Sequence, residues 1–119
     1  MSRNRDFRER LRFALAGLSH AIRSQRSMRT HAIAFALLMA GLLVLRPAAL
    51  WWAAFLLAGF AVLCAEMLNT AIEQLADLLH PEQHPQIRIV KDCAAGAVLM
   101  ATLAALGVAA AFLFQLLVH

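Results

Sequence analysis

Two long uncharged runs constrain the fold of this sequence more than any other feature. Residues 47–65 and 93–118 contain no Asp, Glu, Lys or Arg. A helix needs about 20 apolar residues to cross the hydrocarbon core of a bilayer, and about 17 is the lower limit. Both runs therefore predict transmembrane helices.

A third apolar run, residues 32–45, is shorter, so a span here must include some of residues 28–31. The composition supports a membrane protein, since 62% of the 119 residues are hydrophobic and 15% are charged. Soluble domains average about 45–50% apolar and about 25% charged residues. We expect a single all-α membrane domain over residues 1–119. The predicted elements are an amphipathic helix in residues 1–28 and transmembrane helices at 29–45, 47–79 and 91–118.

The N-terminal segment has the pattern of a helix that lies on a membrane surface. Its apolar residues fall within about 80° of arc on a helical projection. Such a stripe favours burial in the interface, although a plain anchoring helix is an alternative. Eight arginines in the first 31 residues place the N-terminus in the cytoplasm. The net charge of +4 suits anionic lipids, and we expect no nucleic-acid binding. The apolar stripe comprises Phe7, Leu11, Leu15, Leu18 and Ile22.

A polar stripe follows the second uncharged run in "AEMLNTAIEQLADLL". Glu66, Asn69, Glu73 and Asp77 are spaced by three, four and four residues, so they share one helix face. A charged group in hydrocarbon costs about 2.5–3.5 kcal/mol. The stripe therefore predicts a functional site at the inner edge of the membrane. Its alternatives are a solvated helix end and an ion-binding site of a small transporter.

The residue types of this stripe suit phosphoryl transfer. Glu66, the deepest acid, is the candidate general base. Glu73 is the candidate Mg²⁺ ligand, because magnesium binds one or two carboxylates together with phosphate oxygens. Lys91, the only lysine, and Asp92 are expected at the matching depth of the third span. The sequence has neither GxxxxGK[ST] nor GxGxxG, so side chains and metal would hold a nucleotide.

A serine nucleophile is not predicted. Ser19, Ser24 and Ser27 lie among arginines, and none has an obvious base nearby in the sequence.

Two motifs resemble the prokaryotic diacylglycerol kinase family, which are small three-span lipid kinases unrelated to soluble kinases. "EMLNTAIEQLADLL" is similar to the family's E-x-x-N-[ST]-A-I-E-x-x-x-D, and "KDCAAGAVL" to its K-D-x-A-A-G-A-V-L. The resemblance runs from Arg12 to Leu113. "RSMRTH" and "HPQIRIVKD" look closer to the branch that includes undecaprenol kinases of Gram-positive type.

The resemblance implies a homotrimeric enzyme of the bacterial cytoplasmic membrane with sites shared between subunits. It would transfer the γ-phosphoryl group of ATP, with Mg²⁺ as cofactor, to diacylglycerol, undecaprenol or another lipid alcohol. By position, Glu66 would activate the lipid hydroxyl and Asn69 would orient it. Arg29 would frame the place where the lipid enters. The implied ATP contacts are Phe13, Glu82, Gln83, His84, Lys91 and Asp92, and the implied metal positions are Glu73 and Gln25.

Gln25 departs from the family pattern. The family has a glutamate here, in an "xExxxxR" stretch, that helps to hold magnesium. A neutral amide offers an oxygen but binds Mg²⁺ more weakly than a carboxylate does. The departure leaves open an altered metal site, a reduced activity, a substituting group nearby, or an inactive membrane scaffold.

Overall fold

The computed structural model describes residues 6–118, and these residues form four helices. They are α1 (Phe7–Ser24), α2 (Arg26–Leu45), α3 (Ala49–Leu79) and α4 (Pro85–Val118). The predicted all-α architecture is confirmed. Within the described residues, α2, α3 and α4 are the helices long and apolar enough to cross a membrane.

Helix α4 begins earlier than the sequence analysis placed it. The predicted start was residue 91, whereas the helix begins at Pro85. Proline suits the first turn of a helix, because its missing N–H would have no intrahelical partner there. Lys91 and Asp92 therefore lie in the second turn and do not open the helix.

Helix α1 ends at Ser24 and not at residue 28, and the starts of α2 and α3 differ from those predicted by three and two residues. Helix α2 starts at Arg26 and not at residue 29, directly after the extended residue Gln25 (φ −118°, ψ 117°). Helix α3 starts at Ala49 and not at residue 47. Arg46 ends α2 in the left-handed conformation with φ 52°, and residues 46–48 form the short connection before α3.

Helices α3 and α4 form a long hairpin that supports the other two helices. They have 31 and 34 residues, so each is about 46–51 Å long and exceeds a hydrocarbon core of about 30 Å. Helix α1 packs on α2 and α3. The Gln74 amide of α3 donates a hydrogen bond to His20 Nε2 of α1, at 2.8 Å. This contact ties α1 to the end of α3 that carries the polar stripe.

The buried core lies at the opposite end of the hairpin. Leu42, Phe55 and Phe112, from α2, α3 and α4, are buried together. The rings of Phe55 and Phe112 meet edge to face at 5.4 Å, and Trp51 lies 5.0 Å from Phe112. Most other apolar side chains of the three long helices remain exposed in the single chain.

Candidate active site

Glu66 is the most deeply buried charged side chain among the described residues. It lies on α3, and 2% of its surface is exposed. The Ser27 hydroxyl donates a hydrogen bond to Glu66 Oε1 at 2.5 Å, and His31 Nε2 lies 3.2 Å from the same oxygen. Neither contact involves Oε2. A carboxylate held through one oxygen in this way keeps its second oxygen available as an acceptor.

Both partners of Glu66 come from α2, and the sequence analysis missed them. Ser27 was considered only as a nucleophile and was set aside because no base was obvious nearby, but its hydroxyl contacts a buried carboxylate. Ser27 and His31 are four residues apart, so they lie on one face of α2, one turn apart. That spacing was visible in the sequence, although nothing in it indicated that this face packs on Glu66.

Asn69 and Glu73 form the next layer of the stripe, one and two turns beyond Glu66. Asn69 Nδ2 donates a weak hydrogen bond to Glu73 Oε1, at 3.5 Å. Within residues 6–118, Asn69 Oδ1 is the buried side-chain polar atom that has no hydrogen-bond partner. A buried acceptor without a donor is costly. A ligand that donates a hydrogen bond, or a bound cation, would satisfy this oxygen.

A polar pocket of about 620 Å³ lies where the α3–α4 loop turns the chain back. Glu82, Gln83, His84 and Lys91, four of the predicted ATP contacts, line it together with His80. A volume of this size is within the range of about 300–1,000 Å³ that is typical of small-molecule sites. The loop therefore brings together most of the residues that the resemblance assigns to ATP.

Two ion pairs lie at the edge of this pocket. Lys91 Nζ contacts Asp77 Oδ1 at 2.5 Å and so connects α4 to the end of the polar stripe. Arg88 Nε contacts Asp92 Oδ1 at 3.4 Å across one turn of α4. Asp92 is 65% exposed and does not line the pocket, in contrast to Lys91.

His84 also caps α4. Its Nδ1 accepts a hydrogen bond from the backbone N–H of Gln86 at 3.0 Å, which is the geometry of a helix N-cap. Because Nδ1 accepts, the proton of the neutral ring is on Nε2. The ring of His80 packs on that of His84 with centroids 5.0 Å apart.

Of the remaining predicted residues, Gln25 and Arg29 lie at the junction of α1 and α2, whereas Phe13 lies in the second turn of α1. Gln25 is the half-buried residue between these helices, and its backbone N–H donates to Ala21 O. Arg29 Nη1 donates to the carbonyls of Ile22 and Arg23, at 3.0 and 2.9 Å. Arg29 thus satisfies the C-terminal end of α1 and fixes the bend. Phe13 is half-exposed on α1.

An apolar groove of about 300 Å³ runs between α2 and α4, and α3 forms its floor. His31 lies in its lining, so the groove reaches the side chain that contacts Glu66. Phe55 lies in the lining and also belongs to the buried core.

The structure thus separates the predicted site into two centres in one chain. One is the Glu66 cluster, which we define as Ser27, His31 and Glu66. The other is the loop pocket, defined by its lining over residues 80–91. Asp77, which pairs with Lys91 of the loop pocket, is eleven residues from Glu66 on α3. This separation is about 16 Å along the helix. The described part of the chain holds no group of three or more His, Cys, Asp or Glu that could bind a metal.

Comparison with known proteins links this sequence to one family. The family model for prokaryotic diacylglycerol kinase matches residues 12–113. The diacylglycerol kinase of Synechocystis sp. (strain ATCC 27184 / PCC 6803 / Kazusa) is 39% identical over 95 residues, which are 79% of this chain and 54% of that protein. The undecaprenol kinase of Bacillus subtilis (strain 168) is 41% identical over 83 residues, 69% of this chain and 67% of that protein. The chain thus spans about half of the first relative and two thirds of the second.

Proposed function

The chain belongs to the prokaryotic diacylglycerol kinase family, and from this membership we propose that it is an ATP-dependent lipid kinase. In this proposal it transfers the γ-phosphoryl group of ATP to the hydroxyl of a membrane lipid alcohol. The relatives are named for diacylglycerol and undecaprenol, which are our two candidate acceptors. The observation that carries the proposal is the burial of Glu66, whose Oε1 alone is engaged by Ser27 and His31.

Glu66 acts as the general base in this mechanism. Its Oε2 accepts the proton of the lipid hydroxyl, while Ser27 and His31 hold Oε1. The hydroxyl oxygen then forms a bond to the γ-phosphorus, the bond from this phosphorus to the β–γ bridging oxygen breaks, and ADP leaves. Phosphoryl transfer depends mainly on positioning and charge stabilisation, so a small set of fixed side chains suffices.

Magnesium fits the residues next to Glu66. The Glu73 carboxylate and the unpartnered Asn69 Oδ1 are adjacent oxygen donors, the ligand type that Mg²⁺ prefers. We propose that Glu73 and Asn69 hold the ion and that the Gln25 amide contributes a further, weaker oxygen. When bound, Mg²⁺ neutralises charge on the phosphate oxygens. Because Asn69 lies between Glu66 and Glu73, it also orients the hydroxyl with respect to the phosphate.

ATP is proposed to bind at the loop pocket. Glu82, Gln83 and His84 line it and suit the polar groups of the nucleoside, whereas Lys91 supplies a positive charge for the phosphates. Asp92 lies one residue beyond Lys91 and pairs with Arg88. Phe13 on α1 is proposed as a further contact, on the resemblance alone.

The apolar helices and the family make the chain a multi-pass membrane protein. We propose the bacterial cytoplasmic membrane, with the arginine-rich N-terminus and the α3–α4 loop both on the cytoplasmic side. The five residues of the apolar stripe of α1 are exposed and suit an interfacial position. A homotrimer would cover much of the exposed apolar surface of α2–α4 and would bring the two centres of neighbouring subunits together.

The test is phosphorylation of a panel of lipid alcohols by the purified protein with radiolabelled ATP and Mg²⁺. We expect a labelled lipid product, and we expect Glu66→Gln to lower its rate by at least about 100-fold, as for loss of a general base. Binding of ATP should be unchanged in this variant. An unchanged rate in Glu66→Gln would refute the assignment of the base. Absence of product with every alcohol would refute the kinase function.

A further inference from the structure

Arg88 is a second cation in the lining of the loop pocket, one turn of α4 before Lys91. The two residues are three positions apart, so their side chains share one face of the helix, about 4.5 Å apart along its axis. The Lys91 ammonium already contacts Asp77 Oδ1. Because a triphosphate carries several negative charges, one lysine that is paired with a carboxylate leaves most of them without a cation from the protein.

We propose that Arg88 is a second phosphate-binding residue of the loop pocket and that Asp92 orients it, an inference that rests on the proposed binding of ATP. Arginine suits this role, because its planar guanidinium can bind two phosphate oxygens through parallel N–H groups. Lysine supplies a point charge and imposes no such geometry. The two residues would therefore combine charge from Lys91 with orientation from Arg88.

The contact with Asp92 leaves the guanidinium able to bind phosphate. Arg88 Nε lies 3.4 Å from Asp92 Oδ1, and within residues 6–118 the Arg88 side chain has no other ion pair or hydrogen bond. Its terminal N–H groups are therefore available to a ligand. The side chains of Arg88 and Asp92 are 75% and 65% exposed, and an exposed ion pair of this kind is weak. Asp92 can thus restrict the conformations of Arg88 without holding the guanidinium away from the nucleotide.

Asp92 is a positioning residue in this proposal, because it acts through Arg88. It does not line the pocket, whereas Arg88 does. A carboxylate that approached the nucleotide directly would also repel its phosphates. The ion pair therefore gives Asp92 a role in ATP binding that requires no contact between Asp92 and ATP.

The positions of the two cations along α4 assign them to different phosphates. Lys91 is joined to the polar stripe through Asp77, whereas Arg88 lies one turn nearer the α3–α4 loop. The γ-phosphate must face the lipid hydroxyl at Glu66, on the side of the stripe. Lys91 is then nearest the γ-phosphate, and Arg88 is nearest the α- and β-phosphates, which remain in ADP. Arg88 should therefore contribute to the binding of ADP as much as to that of ATP.

The test is binding of ADP with Mg²⁺ to the purified protein in detergent, measured by isothermal titration calorimetry without a lipid acceptor. We expect Arg88→Ala to raise Kd for ADP by at least about tenfold, as for loss of a charge-assisted hydrogen bond. Arg88→Lys should raise Kd less, since lysine keeps the charge but not the planar fork. Arg8→Ala is the matched control, because Arg8 is an exposed arginine of α1 that does not line the pocket. Equal Kd values for Arg88→Ala and wild type, an equal rise in Arg8→Ala, or no binding of ADP to wild type would each overturn the proposal.

A double-mutant cycle tests the role of Asp92. Asp92→Asn should raise Kd for ADP by about twofold to fivefold, in keeping with a weak exposed pair, and should cause no further rise in the Arg88→Ala background. A further rise would mean that Asp92 acts independently of Arg88. Tighter binding in Asp92→Asn would mean that Asp92 competes with phosphate for Arg88, and either result would overturn its positioning role.

Because ADP binding needs neither lipid nor turnover, it separates this proposal from the kinase function. A chain that binds ADP through Arg88 but phosphorylates no lipid alcohol would refute the kinase function alone. A chain that phosphorylates lipid, with the same Kd for ADP in Arg88→Ala and wild type, would refute the role of Arg88 alone.

Discussion

At the scale of single residues, Glu66 combines two opposing requirements. A buried carboxylate without partners is strongly unfavourable, so it needs donors. A general base, however, must retain an oxygen that can take a proton. The structure meets both requirements because Ser27 and His31 engage the same oxygen, Oε1.

Removal of one donor should therefore leave the base in place but hold its carboxylate less firmly. We expect Ser27→Ala to lower kcat for lipid phosphorylation by about 10- to 100-fold, the effect of losing a hydrogen bond to a charged group of about 1.5–3 kcal/mol. KM for ATP should remain unchanged. Ser24→Ala is the matched control, because Ser24 is an exposed residue at the end of α1 and belongs to no contact with Glu66. Steady-state kinetics of both variants decide the point, and equal kcat values would exclude the role of Ser27.

The sequence predicts the polar stripe but not its partners. Glu66, Asn69 and Glu73 are close in the chain, so helical periodicity alone places them on one face. Ser27 is 39 residues from Glu66, and its contact depends on how α2 packs on α3. Local spacing carries no information on such packing, which explains why Ser27 and His31 were both missed as partners of Glu66.

At the scale of helices, His84 at the end of the α3–α4 loop has two roles. His84 lines the loop pocket and also caps the first turn of α4.

Long apolar runs predicted α3 and α4, since about 20 such residues suffice for a span. The charges of "RIVKD" led to the late predicted start, although proline at the first helical position indicates Pro85.

Two substitutions separate the role of His84 as an N-cap from its role in the loop pocket. His84→Ala should destabilise α4 by about 0.5–2 kcal/mol, the usual cost of losing an N-cap, and should also weaken ATP binding. His84→Asn should restore the cap, because asparagine is a favourable N-cap residue, but not the imidazole contact in the pocket. Thermal unfolding in detergent and KM for ATP are the measurements. If His84→Asn recovered both properties, the ring would have no separate role in binding ATP.

The junction of α1 and α2 allows a test of the metal site. We expect Gln25→Glu to lower the Mg²⁺ concentration at half-maximal activity, because a carboxylate is a stronger ligand for magnesium than an amide. Gln86→Glu, which adds the same charge on α4 outside the pocket lining, is the control. A Mg²⁺ titration of activity at saturating ATP compares the three proteins. An equal shift in both variants would indicate a general effect of charge and would exclude Gln25 from the metal site.

At the scale of the whole molecule, one chain leaves its two centres apart. Glu66 and Asp77 are about 16 Å apart along α3, whereas reacting atoms must approach to about 3–3.5 Å. Much of the apolar surface of α2–α4 is also exposed. Both features follow if neighbouring chains in a closed ring complete the site, with the Glu66 cluster of one chain facing the loop pocket of the next.

Mixing two inactive variants tests this arrangement. Glu66→Gln lacks the base and Lys91→Ala lacks the charge for phosphate, so each alone should be nearly inactive. In rings that assemble at random from equal amounts, about one quarter of shared sites would receive an intact Glu66 from one chain and an intact Lys91 from its neighbour. We therefore expect the co-refolded mixture to regain about a quarter of wild-type activity. A mixture of Glu66→Gln with Asn69→Leu should stay inactive, because both residues lie on the polar stripe and one chain supplies both to a given site. If the first mixture also stayed inactive although mixed oligomers had formed, each site would lie within a single chain.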